Sequence, residues 1–455
     1  MTAAYPASES PLVRTAEPPS RSFGTHWREW YAPLLLVFLP AAASLAFGAV
    51  EGWAWGAVSL GGLLLLLVWL VPAIARGRLS IAPNPLYAPA LLFGLLAAFQ
   101  WLSRRSLDPG ATELDLVRLT GYGIFFFLAA NLLATPRQLR RYAQAAAIFG
   151  FLLALFAIVQ LLTFNGKIYW IFETRFGGYI VGPYVNHNHY AGLMEMLLAL
   201  TVGLLLDRGV ARERKPLVAF CGVLMAVSLI LSGSRGGLVS FLFQVIFFFC
   251  LMLRGSRLAT GARIGRAWFA VPLLAVILIG FLWLDPGNIS RRYAHFMNQS
   301  LAGEVGLELR PQATLDTLGI FLDHLPLGVG LGAFPAVFPQ YCRFPMFRLW
   351  NYAHNDIAQV MAEMGVPGTL LLIWFFAALF RKGMLRAADW PRQAGAGVRL
   401  GALLGCAGIF VHSFVDFNLH IPANAFWFFS LAGLATATGQ GGLEAGSDVQ
   451  RMRPK

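Results

Sequence analysis

Long apolar segments dominate this chain and constrain its fold more than any other feature. An α-helix needs about 20 mostly apolar residues to cross the hydrocarbon core of a bilayer. Composition agrees, since 57% of the residues are hydrophobic and 13% are charged, against about 25% charged in soluble domains. The sequence therefore predicts an all-α, polytopic membrane protein. We place twelve membrane helices at 32–50, 54–75, 87–103, 119–134, 142–163, 189–207, 217–232, 237–254, 267–284, 356–380, 398–416 and 422–439.

The distribution of basic residues predicts how these helices are oriented. About two thirds of the 35 Lys and Arg residues fall on one side of the predicted membrane, in short loops such as 207–215 and 254–266. Cytoplasmic loops carry this excess in membrane proteins. We therefore predict that both termini are cytoplasmic. The net charge of +13 is accounted for by the same pattern, so no nucleic-acid partner is predicted. The four cysteines are scattered and indicate neither a disulfide framework nor a Cys-rich metal site.

One polar segment, residues 285–355, interrupts the apolar pattern. It is much longer than a connection between two membrane helices needs to be, and such loops are usually functional. Within it, residues 311–323 predict a short amphipathic helix in the membrane interface. The following run, with glycines at 328, 330 and 332, permits a tight backbone approach, but it follows no Rossmann strand and so indicates no nucleotide site. In the predicted topology this loop and seven of the eight histidines lie at the extracytoplasmic face. Ionisable groups gathered at membrane depth indicate a functional site.

His354 is the candidate general base. It lies at the extracytoplasmic start of the helix predicted at 356–380, next to Asn355 and Asp356. An imidazole, with an ordinary pKa of about 6.5, is the usual proton acceptor at neutral pH. The neighbouring carboxylate would orient the ring or keep it basic. The alternative is a histidine that caps the helix or sits at the interface.

Two arginines are suited to an anionic ligand. Arg235 lies in the turn Ser232–Gly237, on small residues at the start of a predicted helix. A guanidinium binds phosphate in bidentate fashion, and a helix N-terminus adds backbone donors. Arg310, in the long loop, is the second candidate. Two fixed positive charges would suit a diphosphate whose departure builds up negative charge. The alternative for Arg235 is a side chain that reaches out to lipid headgroups.

A histidine-rich element precedes the helix predicted at 189–207. Its side chains include Asn186, His187 and His189. The His-x-His pair resembles part of a metal site, but no third and fourth ligands accompany it at a fixed spacing, so no metal is predicted. Hydrogen bonding to a polyol and capping of the helix by Asn186 stay open. Farther along the chain, Asp416 is expected to pair with an arginine of the site.

Taken together, these motifs resemble the O-antigen ligase/polymerase superfamily of integral-membrane glycosyltransferases. The resemblance covers roughly residues 180–430. It rests on Ser-Arg-Gly-Gly around Arg235, on Arg310 followed by Asp-His-Leu-Pro-Leu-Gly-Val-Gly-Leu-Gly-Ala-Phe, on Ala-His-Asn-Asp around His354 followed by Glu363-Met-Gly365, and on Asn-His-Asn-His-Tyr-Ala-Gly.

The resemblance implies a GT-C-like fold with one large periplasmic loop in the bacterial inner membrane. It implies a polyprenyl-diphosphate-linked glycan as donor, a lipid A-core or other glycan as acceptor, and inverting transfer without metal or cofactor. His354 matches the residue that activates the acceptor hydroxyl, and Arg235 and Arg310 match those that hold the diphosphate. The remaining candidates, in supporting or acceptor-binding roles, are Asn186, His187, His189, Asn355, Asp356 and Asp416.

On this basis the chain divides into four regions. Residues 1–30 are predicted to be a disordered cytoplasmic tail and 31–163 the N-terminal membrane helices. Residues 164–440 form the predicted ligase-like catalytic region, with the periplasmic loop 285–355, and 441–455 a cytoplasmic C-terminal tail. Two other functions stay open: a Wzy-type polymerase of O-antigen or exopolysaccharide, and a transporter or flippase. Transport is disfavoured because the predicted spans lack charges near the bilayer midplane.

Overall fold

The computed structural model describes residues 27–437 apart from 76, 78, 174–179, 256–308, 347, 348, 389 and 391. Over this range the protein is helical, with only two isolated β-bridges. The all-α fold class is therefore confirmed. The long helices of the described range are α1 (Ala32–Leu45), α2 (Gly52–Ala75), α3 (Tyr87–Leu102), α4 (Pro109–Leu132), α5 (Pro136–Leu162), α6 (His187–Leu206), α7 (Lys215–Leu231), α8 (Arg235–Gly255), α9 (Leu309–Asp323), α10 (Asp356–Ala387), α11 (Ala396–His412) and α12 (Pro422–Thr436).

Eleven of the twelve predicted membrane segments coincide with these helices, and the segment predicted at 267–284 lies outside the described residues. Among the described residues, six helices are long and apolar enough to cross a membrane: α2, α5, α6, α7 with the turn before it, α8 and α10. The chain is thus a membrane protein. The full count of twelve spans stays a prediction. The amphipathic helix predicted at 311–323 is present as α9.

Two helix boundaries predicted from hydropathy are wrong. The helix predicted at 119–134 begins ten residues earlier, because the Asp108 side chain accepts a hydrogen bond from the N–H of Ala111 and Pro109 occupies the first turn. Its first turns carry Asp115 and Arg118, which pair at 2.7 Å. A hydropathy criterion discards such charged turns. The helix predicted to end at 380 continues to Ala387.

Helix α10 is broken at Gly365, an interruption that the hydropathy pattern does not predict. This residue has φ 60° and ψ −156°, and Pro367 follows it. A Cβ on Gly365 would collide with the carbonyl oxygen of Pro326. The interruption therefore lies where the glycine-rich part of the loop docks on α10.

The glycine-rich run makes the close backbone approach that its composition predicted. The N–H of Val329 donates to Ala362 O at 3.0 Å, and the N–H of Gly330 donates to Glu363 O at 2.9 Å. Gly330 has φ +107°, and a Cβ there would lie 2.6 Å from the Cβ of Ser106. Only glycine satisfies both the backbone angle and the space. The run consequently ties the loop to α10 and to the α3–α4 connection.

The described part of the loop has a small hydrophobic core of its own. α9 contributes Ala313 and Ile320, while the following segment contributes Phe334, Phe338 and Trp350. Phe334 and Phe338 stack at a ring distance of 4.8 Å. This packing makes residues 309–346 and 349–355 a folded unit on the membrane helices, so side chains at its edges are held in place.

The centre of the bundle is the pair α6 and α11. Glycines let the two backbones touch, since a Cβ on Gly203 would lie 2.6 Å from the Cα of Gly401. Small residues at a crossing permit this kind of packing in membranes. The first turn of α6 carries His189 and the last residue of α11 is His412. The closest helix pair therefore brings two histidines to the same end of the bundle, beneath the loop.

Candidate active site

The site is organised around the carboxylate of Asp416, which is 1% exposed in the connection between α11 and α12. One oxygen, Oδ2, lies 3.2 Å from Arg310 Nη1. The other, Oδ1, lies 3.6 Å from His189 Nε2 and 3.7 Å from His354 Nδ1. The expected pairing of Asp416 with an arginine is confirmed. The structure thus gathers four of the sequence candidates, which come from four separate parts of the chain.

Asp416 is a carboxylate over the whole neutral range. Burial raises its pKa, but the charge of Arg310 and the neighbouring imidazoles of His189 and His354 outweigh burial and hold the pKa well below its usual value. A buried anion of this kind favours a histidine tautomer with the proton on the facing nitrogen. His354 Nδ1 faces Asp416 at 3.7 Å, so Nε2 is the ring nitrogen that faces away from this carboxylate.

His354 is fixed by its backbone and by aromatic neighbours. Its φ is +53°, an unfavourable region for a residue with a side chain. Trp350 and Phe417 contact the imidazole edge-on at ring distances of 5.3 and 4.7 Å. The helix cap is supplied instead by Asn355, whose side chain accepts a hydrogen bond from the N–H of Ala358 at 3.0 Å. Capping thus explains Asn355 and leaves His354 for another role.

The prediction that Asp356 orients His354 is wrong. Asp356 begins α10, and its carboxylate points to the α11–α12 connection, where Oδ1 lies 2.6 Å from His420 Nδ1. Its other oxygen accepts a hydrogen bond from Ser413 Oγ at 2.7 Å. The carboxylate beside His354 is Asp416, which is distant in sequence and close in space. Asp356 and His420 form a second acid–imidazole pair that braces the connection carrying Asp416.

The histidine-rich element packs against the turn that carries Arg235. Asn186 caps α6 by accepting a hydrogen bond from the N–H of Asn188 at 2.8 Å. His187 Nδ1 lies 2.9 Å from Ser232 O, and Ser234 Oγ donates to Asn188 Oδ1 at 2.7 Å. The cap at Asn186 is confirmed, and binding of a polyol stays a prediction. Among the described residues, no three His, Cys, Asp or Glu side chains are arranged to hold a metal ion.

Arg235 is exposed at the first turn of α8. Ser234 caps this helix, since its Oγ accepts a hydrogen bond from the N–H of Gly237 at 3.0 Å. Gly236 lies directly against His412 and Val415. Within the described ranges, Arg235 pairs with no carboxylate. An exposed guanidinium at a helix N-terminus can bind an anion.

Sequence reasoning missed Glu195 altogether. It lies two turns into α6, is fully buried, and its Oε1 is 3.3 Å from Nδ1 of the equally buried His412. The available signal was the acidic residue itself, six positions after His189 in an apolar segment. An acid within a membrane helix requires a partner, and here that partner comes from α11.

Comparison with known proteins agrees with the geometry. Residues 220–373 match the family model described as O-antigen ligase. The matched range includes Arg235, Arg310 and His354, whereas His189 and Asp416 lie outside it. No curated protein matches the chain. The match supports the superfamily predicted from the motifs, over residues 220–373.

Proposed function

We propose that the protein transfers a glycan from a polyprenyl-diphosphate-linked donor to an acceptor hydroxyl, as an O-antigen ligase-type enzyme. The reaction takes place at the extracytoplasmic face of the bacterial inner membrane, and the acceptor is a lipid A-core or another glycan. The family domain supports a membrane glycosyltransferase of the O-antigen ligase/polymerase family. The observation that carries the proposal is His354, which faces Asp416 at 3.7 Å beside Arg310, itself 3.2 Å from the same carboxylate.

The proposed reaction is a single displacement. His354 Nε2 takes the proton of the acceptor hydroxyl while the oxygen attacks the anomeric carbon. The bond between that carbon and the diphosphate oxygen breaks, and the diphosphate leaves with the electron pair. Attack opposite the leaving group inverts the anomeric centre. Asp416 stabilises the imidazolium that forms, and the proton then passes to solvent.

The arginines supply the charge that the leaving group needs. Arg310 uses Nη1 for Asp416 and for Val415 O at 3.0 Å, so Nη2 is the group that it would offer to the donor. Arg235 adds a second charge that no described carboxylate neutralises. Positive charge that is fixed before the reaction stabilises a developing anion without reorganisation. Inversion, metal independence and the binding roles of both arginines belong to this proposal.

Substitution of His354 tests the proposal. A reconstituted assay would contain a polyprenyl-diphosphate oligosaccharide, no nucleotide and no divalent metal, with products resolved on a gel. His354→Ala should lower turnover by at least about 100-fold while donor binding is retained. His324→Ala is the matched control, because His324 lies in the same loop and contacts Ile320 O instead of the site. Its turnover should stay near that of the wild type. Wild-type turnover in His354→Ala would remove His354 from the mechanism.

The same assay separates the related functions. A single shifted band that requires an added lipid acceptor indicates a ligase, whereas a ladder formed from donor alone indicates a Wzy-type polymerase. We favour the ligase because one dominant loop with the Arg310 and His354 arrangement resembles that branch. A protein that releases no polyprenyl diphosphate with any acceptor would contradict the enzyme proposal and favour a transporter.

A further inference from the structure

We infer that His412 is a third ligand for the donor diphosphate, with Nε2 donating to a phosphate oxygen at the N-terminus of α8, and that Glu195 positions its ring. The inference rests on the proposed function and deepens it. Neither His412 nor Glu195 is among the residues implied by the resemblance to the family. The diphosphate would lie at the first turn of α8.

The cost of burying this pair requires an explanation. Glu195 and His412 are both 0% exposed, and they meet at 3.3 Å inside the membrane bundle. Two charges taken out of water seldom repay their desolvation by attracting each other. Moreover, Glu195 Oε2 and His412 Nε2 have no hydrogen-bond partner among the described residues. In the imidazolium form that the Glu195 carboxylate favours, Nε2 carries a proton, and a buried donor without an acceptor costs free energy. The resting structure therefore holds a binding capacity that it does not use.

The free nitrogen of His412 faces the start of α8. A Cβ added to Gly236 would lie 2.8 Å from His412 Nε2 and 3.1 Å from Val415 Cγ2. Gly236 has an ordinary helical backbone, so a residue with a side chain could adopt its backbone angles. Glycine is required there because a Cβ would collide with its neighbours. The absence of a Cβ therefore lets the imidazole of His412 lie directly against the backbone of Gly236, in the first turn of α8.

The same turn offers backbone donors. Ser234 accepts two hydrogen bonds from this turn. Its Oγ accepts the N–H of Gly237, and its carbonyl oxygen accepts the N–H of Leu238. The N–H groups of Arg235 and Gly236 have no acceptor among the described residues. Free N–H groups at a helix N-terminus attract anions, and α8 is a 21-residue helix. An anion at this turn would contact two backbone donors, the Arg235 guanidinium and His412 Nε2.

Glu195 fixes which nitrogen of His412 is free. Its Oε1 takes Nδ1, so Nε2 must point away from α6 towards α8. Gln244 of α8 holds α6 and α11 in register, since its Nε2 donates to Glu195 O at 3.3 Å and to Leu404 O at 3.1 Å. The carbonyl oxygen of His412 accepts the N–H of Asp416 at 3.0 Å. One turn of chain thus links the diphosphate ligand to the carboxylate that aligns His354.

Direct binding to the full-length protein in nanodiscs tests the inference. The probes are farnesyl diphosphate and, as an uncharged counterpart, farnesol. A charge-assisted hydrogen bond contributes about 1.5–3 kcal/mol, which corresponds to roughly a 10- to 100-fold change in Kd. We expect His412→Gln to weaken farnesyl diphosphate binding by at least about tenfold and to leave farnesol binding unchanged. Glu195→Gln should have a smaller effect in the same direction.

Two further variants separate binding from folding. The double variant Glu195→Gln/His412→Gln removes both charges and leaves neither one buried alone, so it should fold and still bind the diphosphate weakly. Asp207→Asn is the matched control, because Asp207 is a buried acid after the other end of α6 that pairs with Arg140 at 3.6 Å. The Kd of Asp207→Asn for farnesyl diphosphate should stay within about twofold of the wild-type value.

The outcomes distinguish this inference from the proposed function. Wild-type protein that binds farnesyl diphosphate no better than farnesol would contradict the proposed function itself. Wild-type protein that binds the diphosphate, with unchanged affinity in both His412→Gln and the double variant, would overturn only the role of His412. A uniform loss of affinity for both probes would show that the pair is structural and would also overturn it.

Discussion

Asp416 faces three side chains that carry a positive charge or can take one up. Arg310 neutralises it permanently, while His189 and His354 share its second oxygen. A carboxylate that stays ionised can align an imidazole without competing for its proton. This arrangement suits a base that must accept one proton per turnover and then release it. The chemistry of the site at this scale is therefore set by one buried anion.

Asp416→Asn should separate charge from shape at this position. The amide is nearly isosteric, but it leaves the partly buried Arg310 without its counterion, and breaking a pair with one buried partner costs up to about 3 kcal/mol. We expect a clear fall in melting temperature and a loss of transfer of at least about 100-fold. Asp323→Asn, at the exposed end of α9, is the control and should change neither quantity. A variant as active as the wild type would exclude Asp416 from aligning the base.

The pairing of His420 with Asp356 predicts that the free energy of unfolding depends on pH. Burial lowers its pKa, but the hydrogen bond to Asp356 and the charge of that carboxylate outweigh burial and raise the pKa above its usual value. The folded state thus binds the proton more tightly than the unfolded state. The contribution to stability is complete below the unfolded pKa of about 6.5 and is lost as the pH rises through the folded pKa.

Melting curves of the wild type and His420→Gln should show this trend. The difference in melting temperature between them should be largest near pH 6 and should shrink towards pH 9, because the wild type loses the ion pair there. A difference that grows with increasing pH would contradict the assigned sign.

At the scale of elements, the glycine-rich run decides how the loop sits on the bundle. Gln100 of α3 donates to Leu327 O at 2.7 Å, and Thr112 of α4 donates to Leu331 O at 2.7 Å. The run is therefore tied to three helices by backbone groups that no side-chain pattern reveals. It fixes the end of the loop from which His354 projects, so the geometry of the base depends on it.

Gly330→Ala should loosen this docking. The variant places a Cβ at φ +107° and against Ser106, at a cost of about 1–3 kcal/mol. We expect faster proteolysis of the loop between α9 and α10 and a lower melting temperature. Gly319→Ala is the matched control, because Gly319 lies within helix α9 and a Cβ there meets Tyr341 at an ordinary 3.4 Å. Equal protease resistance of the two variants would show that the docking is not required.

At the scale of the whole molecule, the candidate site lies at the end of the bundle that carries the Arg235 turn. The basic turn Arg212–Arg214 lies at the opposite end of α7. The proposed orientation predicts which end reagents reach from outside the cell. Leu322→Cys, on the exposed face of α9 at 63% accessibility, should react with an impermeant maleimide in intact spheroplasts. Arg212→Cys should react only after permeabilisation. Both variants are made with Cys342→Ser to remove the native loop thiol. The reverse pattern would invert the predicted topology.

The sequence by itself determined the membrane class, the position of eleven helices, the glycine-rich approach and the residues worth testing. These features are local, because hydropathy, capping and turn chemistry act within a few residues. Tertiary structure decided which groups meet. The fold pairs Asp356 with His420 and Glu195 with His412. It also brings the carboxylate of Asp416, which is remote in sequence, next to His354. Such pairings join residues up to 217 positions apart, and they depend on how glycine-lined helices pack together. No periodicity along the chain encodes that three-dimensional match.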